Sequence, residues 1–261
     1  NFMNLNIEIV GLPASGKTHF YNHLNQKIKK SKNNHIQTRS FKDFLLFEYL
    51  KKKTKINQIK KMFYSIYIKN VQIKSNFLFN KEYKDLNLFL RNNLKKNKRN
   101  DKILYLYKNY INTTNYTIER KSRMLKNFEI DFLGAKLFNS KFKFNVFDEG
   151  FFQKIFFNFE SITNLKFKLK KQISYLKLVP NPDLIVLIDT NIKICLKRSK
   201  LRADGFLYDN KLIKKSKIMY FNKSVINFAK FKKIPILRLN GASSISKNIE
   251  IFFKTIEKYN K

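Results

Sequence analysis

Gly11-Leu12-Pro13-Ala14-Ser15-Gly16-Lys17-Thr18 is the stretch on which the reading of this chain turns. It matches G-x-x-x-x-G-K-[ST] at every fixed position, the pattern of a loop whose backbone amides cradle phosphate groups. Its glycines permit backbone angles that a side chain would forbid, and they let several N–H groups converge on one anion. Eight residues can match by accident, so their neighbours decide. Leu5 to Val10 (LNIEIV), just before the loop, is short, apolar and β-branched, as a buried strand is. Just after it, Phe20, Leu24 and Ile28 recur at i, i+4 and i+8, which predicts one apolar face of a helix over Lys17 to Lys30. Strand, loop and helix in that order put the amides at a helix N-terminus, whose positive end adds to the site. Lys17 is then expected to reach the β- and γ-phosphates of a nucleoside triphosphate, and Thr18 to bind Mg²⁺ through its hydroxyl. Gly11, Ala14, Ser15, Gly16 and His19 complete the expected nucleotide-binding set.

Away from the loop the chain alternates strands with helices, except in its middle. Ile36 to Arg39 reads as a second strand and Phe41 to Leu50 as a helix. From about residue 54 to 138 the pattern is almost wholly helical, with stripes at Ile56/Ile59/Phe63/Ile66, at Leu86/Phe89/Leu90/Leu94 and at Ile103/Leu106/Tyr107/Tyr110/Ile111. Residues 54–140 are therefore expected to be a helical bundle on one side of a sheet, or a helical insertion. Phe142 to Phe147 (FKFNVF) returns to alternation and runs into Asp148-Glu149-Gly150. Leu184 to Ile188 (LIVLI) is a continuous apolar run, as in a parallel strand buried on both faces. A helix from Ile192 to Lys200, a polar stretch from Arg202 to Asn210, a long helix from Leu212 to Phe231, a strand from Ile234 to Leu239 and a final helix marked by Ile245, Ile249, Phe252, Phe253 and Ile256 follow. Strands separated by helices make a parallel sheet. The expected organisation is one α/β domain over 1–261, with the helical region at 54–140 and a lid at 199–210.

Composition adds limits. Lys and Arg number 55 against 18 Asp and Glu, a formal charge of +37. Such a charge is the usual footprint of a nucleic-acid partner. Here Lys greatly outnumbers Arg, Asn, Ile, Phe and Tyr are abundant, and Trp is absent, which is the usage of A/T-rich codons. The lysines are also spread along the whole chain, so solvated helix faces account for most of the excess. The charge would still concentrate phosphorylated ligands. The single Cys195 excludes an intrachain disulfide, fits a reducing, cytoplasmic compartment, and lies in an apolar helical pattern as a small core residue. No apolar run is long enough to span a membrane. With the loop beginning at residue 11 and Met3 reading as a natural start, no signal peptide is expected.

Four further features carry chemistry. Asp148, at the end of a strand, is placed to hold the water shell of Mg²⁺, and Glu149 to act as base on an acceptor hydroxyl. Successive residues of a strand point to opposite faces, so the two carboxylates are not expected to face the phosphates equally. Arg198 and Arg202, four apart, share a helix face at the entrance to the polar stretch. Guanidinium forks there would stabilise charge on a transferring phosphoryl group. Arg39, Arg120 and Arg123 are weaker candidates for an acceptor's phosphate or sugar, with a solvated surface as the plainer reading. His19, His23 and His35 lack metal-ligand spacing, and His19 with His23 reads as a surface face of the first helix.

The order of these parts resembles the nucleoside and nucleotide kinase group of P-loop proteins, which includes thymidylate kinases and deoxynucleoside kinases. The resemblance rests on GLPASGKT at the start, VFDEG after the third strand, NPDLIVLIDT as the fourth, and Arg198…Arg202 leading into a lid. Asn240-Gly241-Ala242-Ser243 stands where these kinases place a loop against adenine. The resemblance implies a three-layer P-loop fold, a five-stranded parallel sheet with helices on both sides, and phosphoryl transfer from ATP with Mg²⁺. Where thymidylate kinases usually carry Asp-Arg-Tyr and deoxynucleoside kinases Glu-Arg-Ser, this chain has Asp148-Glu149-Gly150-Phe151. The motif therefore does not name the acceptor. The expected activity is that of an ATP-dependent kinase acting on a nucleoside, nucleotide or similar hydroxyl compound. A nucleic-acid-directed P-loop kinase, or a nucleotide-switch ATPase, is the alternative.

Overall fold

Ile7, Ile9 and Val10 have no solvent exposure, which places the first strand in the middle of the sheet. The structure, a computed structural model, describes residues 4–31, 35–39, 49, 85–86, 88–89, 92, 98–112, 116–137, 143–148, 150–158, 165–201 and 215–260. The strands are β1 (Leu5–Gly11), β2 (Ile36–Arg39), β3 (Phe144–Phe147), β4 (Leu184–Asp189) and β5 (Ile236–Asn240). They form one sheet in the order β2-β3-β1-β4-β5, and every pairing is parallel. Their carboxyl ends therefore share one edge, where open α/β sheets bind ligands.

The chain divides into two units, Asn1–Arg39 with Lys141–Lys261, and Ser40–Ser140. In the first, α1 (Lys17–Lys30) and a C-terminal helix (Ile245–Glu257) lie together on one face of the sheet. Phe20, Leu24 and Ile28 from α1 meet Ile249, Phe252 and Ile256 over Ile7, Ile9, Val146, Val186 and Ile188. The rings of Phe20 and Phe252 stack edge to face at 5.9 Å. This is the apolar stripe that the sequence periodicity of α1 calls for.

In the second unit the described residues include α2 (Lys98–Asn112) and α3 (Ile118–Leu137). Tyr107 of α2 stacks on Phe128 of α3 at 3.7 Å, and Phe128 on Phe132 at 5.9 Å. Tyr107 and Ile111, members of the third helical stripe, are buried. Most residues of the two earlier stripes lie outside the described residues, as does the expected helix over 41–50 apart from Tyr49.

Opposite α1, the sheet of the first unit is covered by α4 (Phe151–Asn158), α5 (Leu165–Leu178) and α7 (Lys215–Phe231). α6 (Ile192–Lys200) follows β4, and the C-terminal helix is α8. Helices thus cover both faces. Phe152 packs on Phe228 at 5.8 Å, Tyr175 donates its hydroxyl hydrogen to the Phe151 carbonyl, and Ser224 donates to Gln172 Oε1. α4 and α5 were not anticipated: the stretch between Gly150 and Pro180 carries no glycine or proline and its lysines blur the apolar period. Among the described residues, no helix is long and apolar enough to cross a membrane.

Candidate active site

The loop between β1 and α1 begins where a side chain cannot go. A Cβ at Gly11 would come within 2.8 Å of the Ile188 carbonyl oxygen and of Ser15 Oγ. The chain turns through a hydrogen bond from Ser15 N to the Leu12 carbonyl at 3.1 Å. Ala14 has φ 57° and Gly16 φ 104°. Left-handed residues alternating with right-handed ones turn successive N–H groups into a concavity suited to an anion. Gly16 is also the N-cap of α1 and supplies no side-chain cap, and the first turn holds no acidic residue. That helix end thus brings no capping side chain and no acidic charge of its own, as suits an anion-binding helix N-terminus. Ser15 is fully buried, and its hydroxyl makes no hydrogen bond within the described residues. A buried hydroxyl in that condition suits a ligand that brings acceptors, as a phosphate does.

Lys17 lies over this concavity, its ammonium donating to the carbonyls of Gly11 at 2.8 Å and Leu12 at 3.1 Å. Thr18 and His19 are exposed on the first turn of α1. Asp148 follows the last residue of β3 directly and is half-buried. Because β3 pairs with β1 in parallel, with Phe147 opposite Glu8, Asp148 and the loop stand at the same edge of the sheet. Thr18 and Asp148 offer a hydroxyl and a carboxylate, the hard oxygen donors that Mg²⁺ takes. Glu149 and Arg202 lie outside the described residues, as does most of the expected lid at 199–210.

Arg198 is half-buried on α6. Its guanidinium donates from Nη1 to the Ser15 carbonyl at 3.3 Å and from Nη2 to the Gly241 carbonyl at 3.0 Å. Thr190, at the end of β4, donates its hydroxyl hydrogen to the same Ser15 carbonyl at 2.8 Å. The Gly241 amide donates to the Asp189 carbonyl at 2.9 Å, and a Cβ at Gly241 would collide with Thr190 Oγ1 and the Ser15 carbonyl. The back of the loop is thus braced by two segments, one after β4 and one after β5. Between them opens a cavity of about 460 Å³ lined by Ser15, Gly16, His19, Arg198, Gly241 and Asn248, among others. Cys195 is buried in α6 behind this wall, its thiol directed at the Thr190 carbonyl at 3.8 Å and its pKa raised chiefly by burial.

His23 stacks edge to face on His19 at 4.2 Å, and its Nδ1 lies 3.0 Å from the His19 carbonyl. No group of three metal-ligating side chains occurs among the described residues. In the second unit the Arg120 guanidinium lies over the Tyr116 ring at 3.9 Å, and Arg123 is exposed. Thr190 and Gln153 were missed by the sequence reading. Thr190 is a residue type that fits any strand end, whereas Gln153 sits in the unanticipated α4 and accepts the Gly11 N–H through Oε1 at 3.0 Å.

No protein-family model and no curated protein matches the chain. Among solved structures it is similar to a deoxyadenosine kinase from M. mycoides with dCMP and dCDP bound, at 15% identity and a TM-score of 0.43, over 97% of this chain and 100% of that one. The same enzyme with dATP bound matches at 15% identity and a TM-score of 0.42, over the same shares. A thymidylate kinase from Candida albicans matches at 13% identity and a TM-score of 0.49, over 98% of this chain and 92% of that one.

Proposed function

We propose that the chain is a small-molecule kinase, which transfers the γ-phosphoryl group of ATP to a nucleoside, nucleotide or similar hydroxyl acceptor. The observation that carries this reading is the strand–loop–helix of residues 5–30, with its left-handed turns at Ala14 and Gly16, its lysine over the loop and an aspartate ending the neighbouring parallel strand. Phosphoryl transfer asks the protein mainly for positioning and for charge stabilisation. In this reading the amides from Ala14 to His19 surround the phosphates, and the Lys17 ammonium exchanges its loop carbonyls for β- and γ-phosphate oxygens. The base lies in the cavity beside Arg198 and Gly241. Thr18 and Asp148 would hold Mg²⁺, which offsets charge on the β- and γ-phosphates. The acceptor oxygen attacks the γ-phosphorus in line, the bond to the β,γ-bridging oxygen breaks, and the hydroxyl proton passes to a carboxylate of the Asp148/Glu149 pair. Arg202, on the lid at 199–210, stabilises the charge in transit, while Arg198, expected from sequence to share that role, sits at the base end and braces the loop through the Ser15 and Gly241 carbonyls.

The experiment is incubation with γ-labelled ATP and a panel of nucleosides, nucleotides, sugars and short RNAs, with the labelled product identified. Lys17→Ala is expected to lower transfer by about 10²–10³-fold, the loss typical of one preorganised charge-stabilising group, while leaving the denaturation midpoint near that of the natural protein. Full ATP turnover by the folded variant would overturn the assignment. Arg202→Ala is expected to lower kcat more than it weakens ATP binding; equal losses would remove its transition-state role.

A further inference from the structure

β1 carries one acid, Glu8, on the face opposite Ile7 and Ile9. It is 3% exposed. Its Oε1 accepts the Gln153 N–H at 2.8 Å, and the N–H groups of Phe151 and Phe152 are also directed at the carboxylate. These are the first amides of α4, so Glu8 supplies from a neighbouring strand the oxygen acceptors that the amides of a helix N-terminus lack within the helix. Gln153 then closes a circuit by accepting the Gly11 N–H through Oε1. Gly11 stands three residues after Glu8 in the same strand and opens the phosphate loop. Gly150 completes the fit: a Cβ there would run into the Glu8 carboxylate. The glycine of the VFDEG stretch is thus required by an acid 142 positions away in sequence.

A buried carboxylate is costly where Val or Ile would fill a strand. A residue that only capped α4 would leave the link to Gly11 and the close fit at Gly150 without a use. We propose that Glu8 is a positioning residue, whose carboxylate fixes Gly150 and the start of α4, two residues past Asp148, against the first amide of the phosphate loop. The inference rests on the kinase reading for what that spacing serves, namely a metal ligand at Asp148 held in step with phosphates in the loop.

The test is a double-mutant cycle of Glu8→Ala and Gly150→Ala, with Glu8→Gln as the variant that keeps the volume if Glu8→Ala does not fold. Affinity for ATP is measured by calorimetry in EDTA and again in Mg²⁺, beside urea denaturation and labelled-ATP transfer. Glu8→Gln and Gly150→Ala are expected to leave affinity in EDTA within about twofold and to lower the gain on adding Mg²⁺ by about tenfold, since an ångström of misplacement costs up to ~10²-fold. The Glu8→Ala/Gly150→Ala double variant is expected to recover part of the Gly150→Ala loss, because the new methyl enters the room the carboxylate leaves. Variants that lose stability yet keep the full Mg²⁺ gain when folded would overturn the proposal and leave Glu8 a cap. Natural protein that binds Mg·ATP but labels no acceptor would sink the kinase reading alone, since the Mg²⁺ gain still decides for or against Glu8. Natural protein that binds no ATP would overturn both.

Discussion

The two faces of β1 are built on different chemistry. One face presents Ile7 and Ile9 to Phe20, Leu24 and Phe252, and is apolar throughout. The other presents Asn6, Glu8 and Val10. There, Glu8 and Gln153 form a hydrogen-bonded circuit to α4, and Asn6 accepts from Asn145 Nδ2 at 3.4 Å. Apolar burial is non-directional and scales with area, so the first face holds the sheet together and tolerates small shifts. Hydrogen bonds to a carboxylate have narrow ranges of distance and angle. The second face therefore sets spacings, between the first amide of the phosphate loop and the start of α4. Stability and positioning are divided between the two sides of one strand.

The sharpest way to break this division is on the apolar side. Phe252 is fully buried with its ring against Phe20, so Phe252→Ala should cost about 3–5 kcal/mol of stability in urea denaturation. ATP affinity of the variant, measured well below its denaturation midpoint, should stay close to that of the natural protein. A large loss of affinity in folded Phe252→Ala would mean that the apolar layer also sets the loop geometry.

The polar side should announce itself in pH. Burial raises the Glu8 pKa from 4.5 to about 7, against the opposing pull of the Gln153 amide, the Lys154 charge and the Phe152 and Phe151 amides. Lys154 of α4 is the charged group that the described residues set against it. The folded protein thus holds this proton more tightly than the unfolded chain does, and the stability from it is full below pH 4.5. It is lost as pH rises toward and through about 7, by on the order of 3 kcal/mol in all. Denaturation at pH 5 and pH 8 should show the fall in the natural protein, and Glu8→Gln should flatten it. The same slope in both would assign the pH dependence to other groups.

The two faces differed just as much in how far they could be read from sequence. The apolar side was legible: the i, i+4, i+8 stripe of Phe20, Leu24 and Ile28 gives α1 over Lys17–Lys30, and LNIEIV and LIVLI give β1 and β4, because burial imposes a period on residue type. Strand ends moved by a residue or two, β3 beginning at Phe144 and β5 running from Ile236 to Asn240. The phosphate loop was legible because its geometry restricts residue type at fixed spacing. The polar side was not. Glu8 was passed over inside an apolar run, since a sequence does not say which amides will meet a strand's acid. Gln153 lies 142 positions from the amide it accepts, and no local pattern encodes such a pair. Arg198 was found through its rarity and its spacing from Arg202, but its contacts to Ser15 and Gly241 belong to the tertiary fold.

The brace behind the loop gives the smallest effect and tests whether positioning is shared. The Ser15 carbonyl accepts from both Thr190 and Arg198. Thr190→Val keeps the shape and removes one donor, so the carbonyl retains Arg198 and the loss should be about 1 kcal/mol, the net worth of one hydrogen bond. Arg198→Lys replaces a fork that spans two carbonyls by a single ammonium that cannot span both, and should cost a similar amount. Together they leave a carbonyl without a good donor, and an unsatisfied buried acceptor costs more than a lost bond. The double variant should therefore exceed the two single losses added, by roughly 0.5–3 kcal/mol as for residues sharing one partner. Strict additivity would mean that each donor holds its own segment and that the loop is positioned from the Glu8 side alone.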